Sequence, residues 1–335
     1  NYIPFSVTME RIDGLWHFDE KSADRLWHKS AIGKPAEGGG ILMSTVELLF
    51  CINHRHIKAP SRNVIIDELV DNTNFLSEYS AMEALRVPGN KVILNTEQWN
   101  SDYNFEKNSW AMRWPSNSHP RETEPVSELL LYNSNDAISP NELYRWCQNI
   151  QLKGLIPEVI VVDEECSAVT YRISTEDPMG KLGKFNLVEI NRESLFEISS
   201  GGYFIDISDG IDIRMSEPFL RGGITNSAFR TLINGDKDSS ATVLQDLLNR
   251  GLNPKSGFKY GTKWRCYEGD VGESHAPWLV ADPENIPSDW NEACLASRLA
   301  SGVNKIWIMP IFIGEEISYI SISRPPADSR WSSPR

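Results

Sequence analysis

The residues K-S-G-F-K-Y-G-T-K-W-R-C-Y (255–267) read as an aromatic strand pattern laced with cations. A short acidic, glycine-rich turn follows (268–273), then S-H-A-P-W-L-V (274–280). After a proline-rich loop, 289–304 has the composition of a helix. Asp289-Trp290-Asn291-Glu292 forms a capping-box-like start, and Leu295, Leu299 and Val303 recur at helical spacing, so they are expected to face a sheet. The helix delivers Lys305 into the apolar run I-W-I-M-P-I-F-I. Tyr267, His275 and Lys305 therefore stand at the ends of regular elements, where a rigid frame can aim side chains at one point.

Taken singly, each of these residues has a plain reading: a strand tyrosine, a rim histidine and a snorkelling lysine. Together the blocks closely resemble the catalytic core of tRNA-splicing endonucleases. That family's pattern is a G-F-K-[YF]-G strand, an aromatic R-x-Y, an H-[SA]-x-[YFW]-L-V strand and a helix ending in V-x-K. Agreement in order, residue type and approximate spacing makes the match specific, although the turn between Tyr267 and His275 is short for the family.

The resemblance implies that Tyr267 is the general base, His275 the general acid and Lys305 the stabiliser of the transition state. RNA carries its own nucleophile, the 2′-hydroxyl beside the scissile phosphate. A base, an acid and a fixed cation then suffice, with no metal and no other cofactor. The expected products are a 2′,3′-cyclic phosphate and a 5′-hydroxyl. An imidazole suits the acid role because it titrates near neutrality. A phenol, with an ordinary pKa of about 10, needs Lys263 or Lys305 to favour its phenolate, or serves only to orient the hydroxyl.

The resemblance also implies partners: precursor tRNA with a bulge-helix-bulge, and a second copy of the chain in a homodimer. Arg298 and Arg324 fall where the family holds a bulge base between guanidinium groups, a contact that reads shape over sequence. From 247 to 266 there is no acidic residue, but Arg250, Lys255, Lys259, Lys263 and Arg265 occur, interleaved with Phe258, Tyr260 and Trp264. Lys259, Lys263 and Arg265 are the candidates there for phosphate attraction beside base stacking. The net charge of −13 excludes a surface coated with cations, but not a local basic patch.

The chain of 335 residues is too long for one ordinary core. Internal matches point to duplication. Glu47, Leu49, Phe50 and Ile52 recur as Glu193, Leu195, Phe196 and Ile198, and both segments read as an amphipathic helix leading into a strand. The runs 156–174 and 306–323 read as equivalent hairpins around acidic turns. A polar Gly/Pro stretch, 175–184, separates the copies. The expected architecture is α+β: a tandem repeat in which each copy has a small mixed N-terminal part and a nuclease-like C-terminal part. The expected boundaries are 1–95, 96–175, 184–248 and 249–326.

In the first copy, Trp114 stands near the tyrosine position, Val126 or Ser127 near the histidine, and Leu152 and Lys153 near the lysine. His119 lies out of register, so this copy reads as a structural pseudo-subunit. Its loop 115–125, with Glu122 and Glu124, is the candidate for docking on the basic cleft of the opposite protomer.

Near the N-terminus, Leu15 and Phe18 suggest a strand and Asp19 a helix cap. His17 and His28 lack a third donor at ligand spacing, so packing is the better reading. The five cysteines never form C-x-x-C, which fits reduced thiols in a cytoplasm and no metal site. No secretion signal is read at the N-terminus. The longest apolar run, 306–313, falls far short of a membrane span. The tail after Pro326 is expected to be loose.

Overall fold

The computed structural model describes residues 9–19, 21–187, 190–206, 212–218 and 220–324. The expectation for the tail after Pro326 lies outside the described residues. The chain is mixed α and β and divides into two units, 1–136 with 146–172 and 137–145 with 173–324 among the described residues.

The first unit opens with β1 (Glu10–Ile12), β2 (Leu15–Phe18), α1 (Ala23–Ser30), β3 (Lys34–Pro35) and β4 (Ile41–Met43). The strands pair in the order β1-β2-β4-β3. Ser22, not Asp19, occupies the cap position of α1, because a turn intervenes before the helix begins. His17 Nε2 lies 2.9 Å from the Gly39 carbonyl oxygen, a local packing contact. Next come α2 (Thr45–His54), α3 (Arg62–Asp71) and α4 (Phe75–Arg86). Ser44 and Glu47 cap α2 reciprocally: the Ser44 hydroxyl accepts from the Glu47 amide at 3.2 Å, and the Glu47 carboxylate from the Ser44 amide at 2.9 Å.

A sheet then runs β5 (Lys91–Leu94), β6 (Ala111–Trp114), β7 (Ser127–Asn133), β8 (Ile156–Val162) and β9 (Ala168–Glu176), with α5 (Pro140–Leu152) between β7 and β8. Successive strands are neighbours. All the pairings are antiparallel except β7 with β8, which is parallel across the α5 crossover. Every position of β8 is buried, as expected of a strand covered on both faces, and Glu158, the charged residue among its apolar ones, is paired with Arg113.

The second unit continues with β10 (Phe196–Glu197), β11 (Tyr203–Phe204) and β12 (Gly223–Ile224), then α6 (Ser227–Asn234) and α7 (Ser239–Asn249). Here the sequence expectation fails. Glu193 to Phe204 is not a helix but a short 3₁₀ turn followed by the β10–β11 hairpin. Gly201 and Gly202 take φ of 85° and 131°, a turn conformation that interrupts any helix. The first of the matched segments is helical, as α2, but leads into α3 and not into a strand.

The second unit closes with β13 (Asn253–Ser256), β14 (Trp264–Tyr267), β15 (Trp278–Val280), α8 (Trp290–Gly302), β16 (Ile306–Ile313) and β17 (Glu316–Ser323). Pairing again follows chain order, antiparallel throughout except for parallel β15 and β16 on either side of α8. The G-F-K-Y-G segment is not a strand. It forms a 3₁₀ turn over Phe258–Tyr260, flanked by Gly257 and by Gly261 at φ 66°.

Asp289 caps α8 by accepting from the Glu292 amide at 3.0 Å. The helix buries Trp290, Ala293, Ser297 and Ala300 and turns Leu295, Leu299 and Val303 outward, about half exposed, against the expected orientation. Small residues let α8 lie close to the strands. Leu295 and Leu299 instead line a cavity of about 530 Å³ with Phe258 and Trp307. Beneath the sheet's other face, Trp264, Cys266, Val280, Ile308 and Tyr319 join α6 and α7 in the core.

Candidate active site

Strand register decides where the singled-out side chains meet. Cys266 pairs with Trp278, and Trp278 with Ile306. One step further, Tyr267 ends β14, Pro277 precedes β15 and Lys305 precedes β16. The Ile306 amide donates to the Pro277 carbonyl at 2.9 Å, which continues the pairing to that edge. With strands about 4.8 Å apart, the backbones of Tyr267 and Lys305 lie roughly 10 Å from one another, with the His275 segment between them.

Each residue is aimed by local chemistry. Asn304 takes φ 54°, the left-handed conformation that asparagine tolerates after a helix, and turns the chain from α8 into β16. The Lys305 amide donates to the Ala300 carbonyl at 3.0 Å, so the helix end holds the residue that carries the ammonium. The Lys305 ammonium donates to the carbonyl of Ala276, the residue next to His275. His275 is exposed, whereas Ala276 is only 3% exposed and anchors the backbone beside it. Tyr267 is largely buried, and the Arg265 guanidinium lies 5.6 Å from its ring centroid. A half-buried ammonium is thus bonded one residue beyond an exposed histidine, on the strand next to the one that ends in Tyr267.

The basic stretch divides by environment. Arg250 is held by Asp246 at 2.6 Å and Asp177 at 2.5 Å. Lys255 is buried and donates to the carbonyls of Arg214 and Ser216 at 2.7 and 2.9 Å. Burial, opposed by Glu217 and Asp212, pushes its ammonium down to about 8. Lys263 stands 3.5 Å from Asp282. Lys259 is exposed, Arg265 half-buried over Tyr267, and Trp264 wholly buried, so Trp264 offers no stacking face. Arg298 is exposed on α8, and Arg324 is exposed directly after β17.

Sequence reasoning named Tyr260 only as one of several interleaved aromatics. The structure sets its ring 5.6 Å from the Lys305 ammonium and 4.9 Å from that of Lys259. The signal available in sequence was a tyrosine directly after a lysine in a glycine-bounded turn.

The first unit holds the same pairings with different groups. Arg113 pairs with Ser127 and Ser127 with Ile156, and the Ile156 amide donates to the Val126 carbonyl at 2.9 Å. By that register Trp114 matches Tyr267, as the sequence suggested. The residue two before Val126 is Glu124, and the residue before β8 is Leu155, in place of the expected Val126 or Ser127 and Leu152 or Lys153. Leu152 points into solvent and Lys153 pairs with Glu128 at 3.1 Å. His119 is buried, with Nε2 2.9 Å from the Trp27 carbonyl oxygen, a packing role. Glu122 and Glu124 are exposed in their loop.

A family model for the catalytic C-terminal domain of tRNA intron endonucleases matches residues 238–319. The chain is 35% identical over 169 residues to a tRNA-splicing endonuclease of Thermoplasma volcanium, covering 49% of this chain and 53% of that protein. It thus spans about half the length of that relative. It is 35% identical over 129 residues to a tRNA-splicing endonuclease of Thermococcus onnurineus, covering 36% of this chain and 75% of that one. A tRNA-splicing endonuclease of Natronomonas pharaonis aligns at 24% identity across 93% of this chain and 97% of its own length. The matched catalytic-domain residues take in the whole of the β14–α8–β16 edge described above, and the chain belongs to the tRNA-splicing endonuclease family.

Proposed function

We propose that the chain is a metal-independent endoribonuclease that excises introns from precursor tRNA at a bulge-helix-bulge. The observation that supports this reading is the hydrogen bond from the Lys305 ammonium to the carbonyl of Ala276, the residue after His275, on the strand next to the one that ends in Tyr267 and inside the span matched by the family's catalytic-domain model. Tyr267 takes or orients the proton of the 2′-hydroxyl, His275 protonates the departing 5′-oxygen, and Lys305 faces the charge that builds on the phosphorane. The products are a 2′,3′-cyclic phosphate and a 5′-hydroxyl, the outcome of transesterification by the RNA's own hydroxyl.

The chain is further read as a tandem repeat with parts 1–95, 96–175, 184–248 and 249–326. The repeated strand order and the matching amide-to-carbonyl bonds at Ile156 and Ile306 support this. Only the second copy carries all three groups. A homodimer therefore presents two active sites to the two splice sites, with the Glu122 and Glu124 loop docking on the partner. Lys259, Lys263 and Arg265 attract the backbone, and Arg298 and Arg324 hold a bulged base. The partners are thus precursor tRNA and a second copy of the chain. Among the described residues no helix is long and apolar enough to cross a membrane.

The test is incubation of the pure protein with a bulge-helix-bulge RNA in excess EDTA, followed by end-group analysis. Cyclic-phosphate ends are the expected result. Cleavage lost with chelator points to a metal nuclease, and tight binding without cleavage points to a non-catalytic subunit.

A further inference from the structure

Tyr260 is carried by a turn that the sheet pins on both sides. Its amide donates to the Gly257 carbonyl at 2.8 Å, and the Thr262 hydroxyl and Lys263 amide both donate to the Val280 carbonyl, at 2.6 and 3.2 Å. A Cβ at Gly257 would come within 2.6 Å of the Thr262 methyl and 2.7 Å of its carbonyl oxygen, so the turn closes only around glycine. The ring emerges half-exposed on the sheet face that carries Arg265 and Lys305.

Lys305 is a flexible four-carbon stem, and its ammonium must be fixed to act as a preorganised charge. One N–H donates to the Ala276 carbonyl, and the ring centroid of Tyr260 lies 5.6 Å from Nζ, within the range of a cation–π contact. The Lys259 ammonium lies 4.9 Å from the centroid of the same ring. The electron-rich ring is thus within reach of two ammonium groups. We propose that Tyr260 is a positioning residue of this site, its ring and the Ala276 carbonyl together fixing the Lys305 ammonium so that its remaining N–H faces a phosphate oxygen. Partial desolvation works against ionisation of the Tyr260 phenol, but the neighbouring Lys259 ammonium and the fields of Lys305 and Arg265 hold it below the ordinary tyrosine value. The same surplus of positive charge suits an approaching phosphodiester.

The inference rests on the reading of Lys305 given above, and the test separates the two. In single-turnover cleavage of a bulge-helix-bulge RNA, Tyr260→Ala is expected to slow the reaction about three- to fivefold, the worth of an exposed cation–π contact. RNA affinity changes less than about twofold, and Tyr260→Phe, which keeps the ring, restores at least about half of the rate. In a Lys305→Ala background, Tyr260→Ala adds no further loss, because its effect passes through the missing ammonium.

A readout independent of activity is the ring-current shift of the Lys305 ε-methylene protons, assigned with Lys305→Arg. It persists in Tyr260→Phe and vanishes in Tyr260→Ala. An equal rate loss with and without Lys305, or a resonance indifferent to Tyr260→Ala, overturns the proposal. An RNA left uncut by the wild-type protein, with the resonance behaving as expected, overturns the nuclease reading and the positioning role with it, while the contact itself stands.

Discussion

The two units pair their strands alike and fill the equivalent positions with opposite chemistry. At one edge, the second unit presents Tyr267, His275 and Lys305 where the register of the first gives Trp114, Glu124 and Leu155. Beneath that edge the contrast reverses. The first unit buries an ion pair, Arg113 with Glu158 at 2.8 and 2.9 Å, which also takes the Ser127 hydroxyl at 2.7 Å. The matching positions of the second unit are Cys266 and Ile308, both fully buried. Conversely Ile93 in the first unit stands where the second buries Lys255. The second unit thus places apolar side chains where the first buries its ion pair, and buries its own cation, Lys255, on the neighbouring strand. A shared frame dictates where the backbone goes and leaves each unit to decide which positions meet water.

That contrast can be broken by mutation. The largest stability effect is expected at Glu158. Glu158→Ala removes the carboxylate that balances the buried Arg113 charge and costs about 3–5 kcal/mol in a denaturant titration. Replacing both, Arg113→Met with Glu158→Leu, recovers most of that loss, since it gives the first unit the apolar support of the second. A double variant as unstable as the single would deny that the pair and the apolar residues are interchangeable.

The next effect is a pH dependence in the second unit. Lys255 ionises at about 8 when folded, against an ordinary 10.5. Between those values the unfolded chain keeps a proton that the folded chain has released. Stability therefore rises with pH across this window, by at most about 3 kcal/mol, and the burial cost is fully present below it. Lys255→Met is expected to remove that rise, and an unchanged pH profile would count against it.

The smallest effect concerns the surface of the first unit. Charge reversal at Glu122 and Glu124 is expected to weaken self-association about five- to tenfold, as exposed charge pairs do. Sedimentation at matched salt reads it, and unchanged association removes the loop from the interface.

Much of this was legible in the chain. The hairpins β8–β9 and β16–β17 follow from β-rich runs around acidic turns, and the start of α8 from Asp289 and Glu292. Other features depend on tertiary context. Leu295, Leu299 and Val303 have the period of a buried stripe, yet the buried residues are Trp290, Ala293, Ser297 and Ala300, a second stripe at helical spacing that is less apolar in sequence. Glu193 to Phe204 shares spacing with α2, but Gly201 and Gly202 fix a turn that outweighs the pattern. The basic stretch looked uniform because sequence does not reveal which cations meet carboxylates or carbonyls; Arg250, Lys255 and Lys263 all do. The Trp114 match was readable from sequence, whereas Glu124 and Leu155 needed the sheet register. The contact between Tyr260 and Lys305 joins residues far apart in the chain that only the fold brings together.

The claim that the second unit alone carries the chemistry is tested most directly at His275, the exposed imidazole whose place in the first unit is taken by Glu124. The measurement is the single-turnover cleavage rate of a bulge-helix-bulge RNA by wild type and His275→Ala in excess EDTA, with RNA affinity measured alongside. The account expects a loss of about 10²–10⁴-fold in rate at nearly unchanged affinity. A variant that cuts as fast as wild type would contradict it.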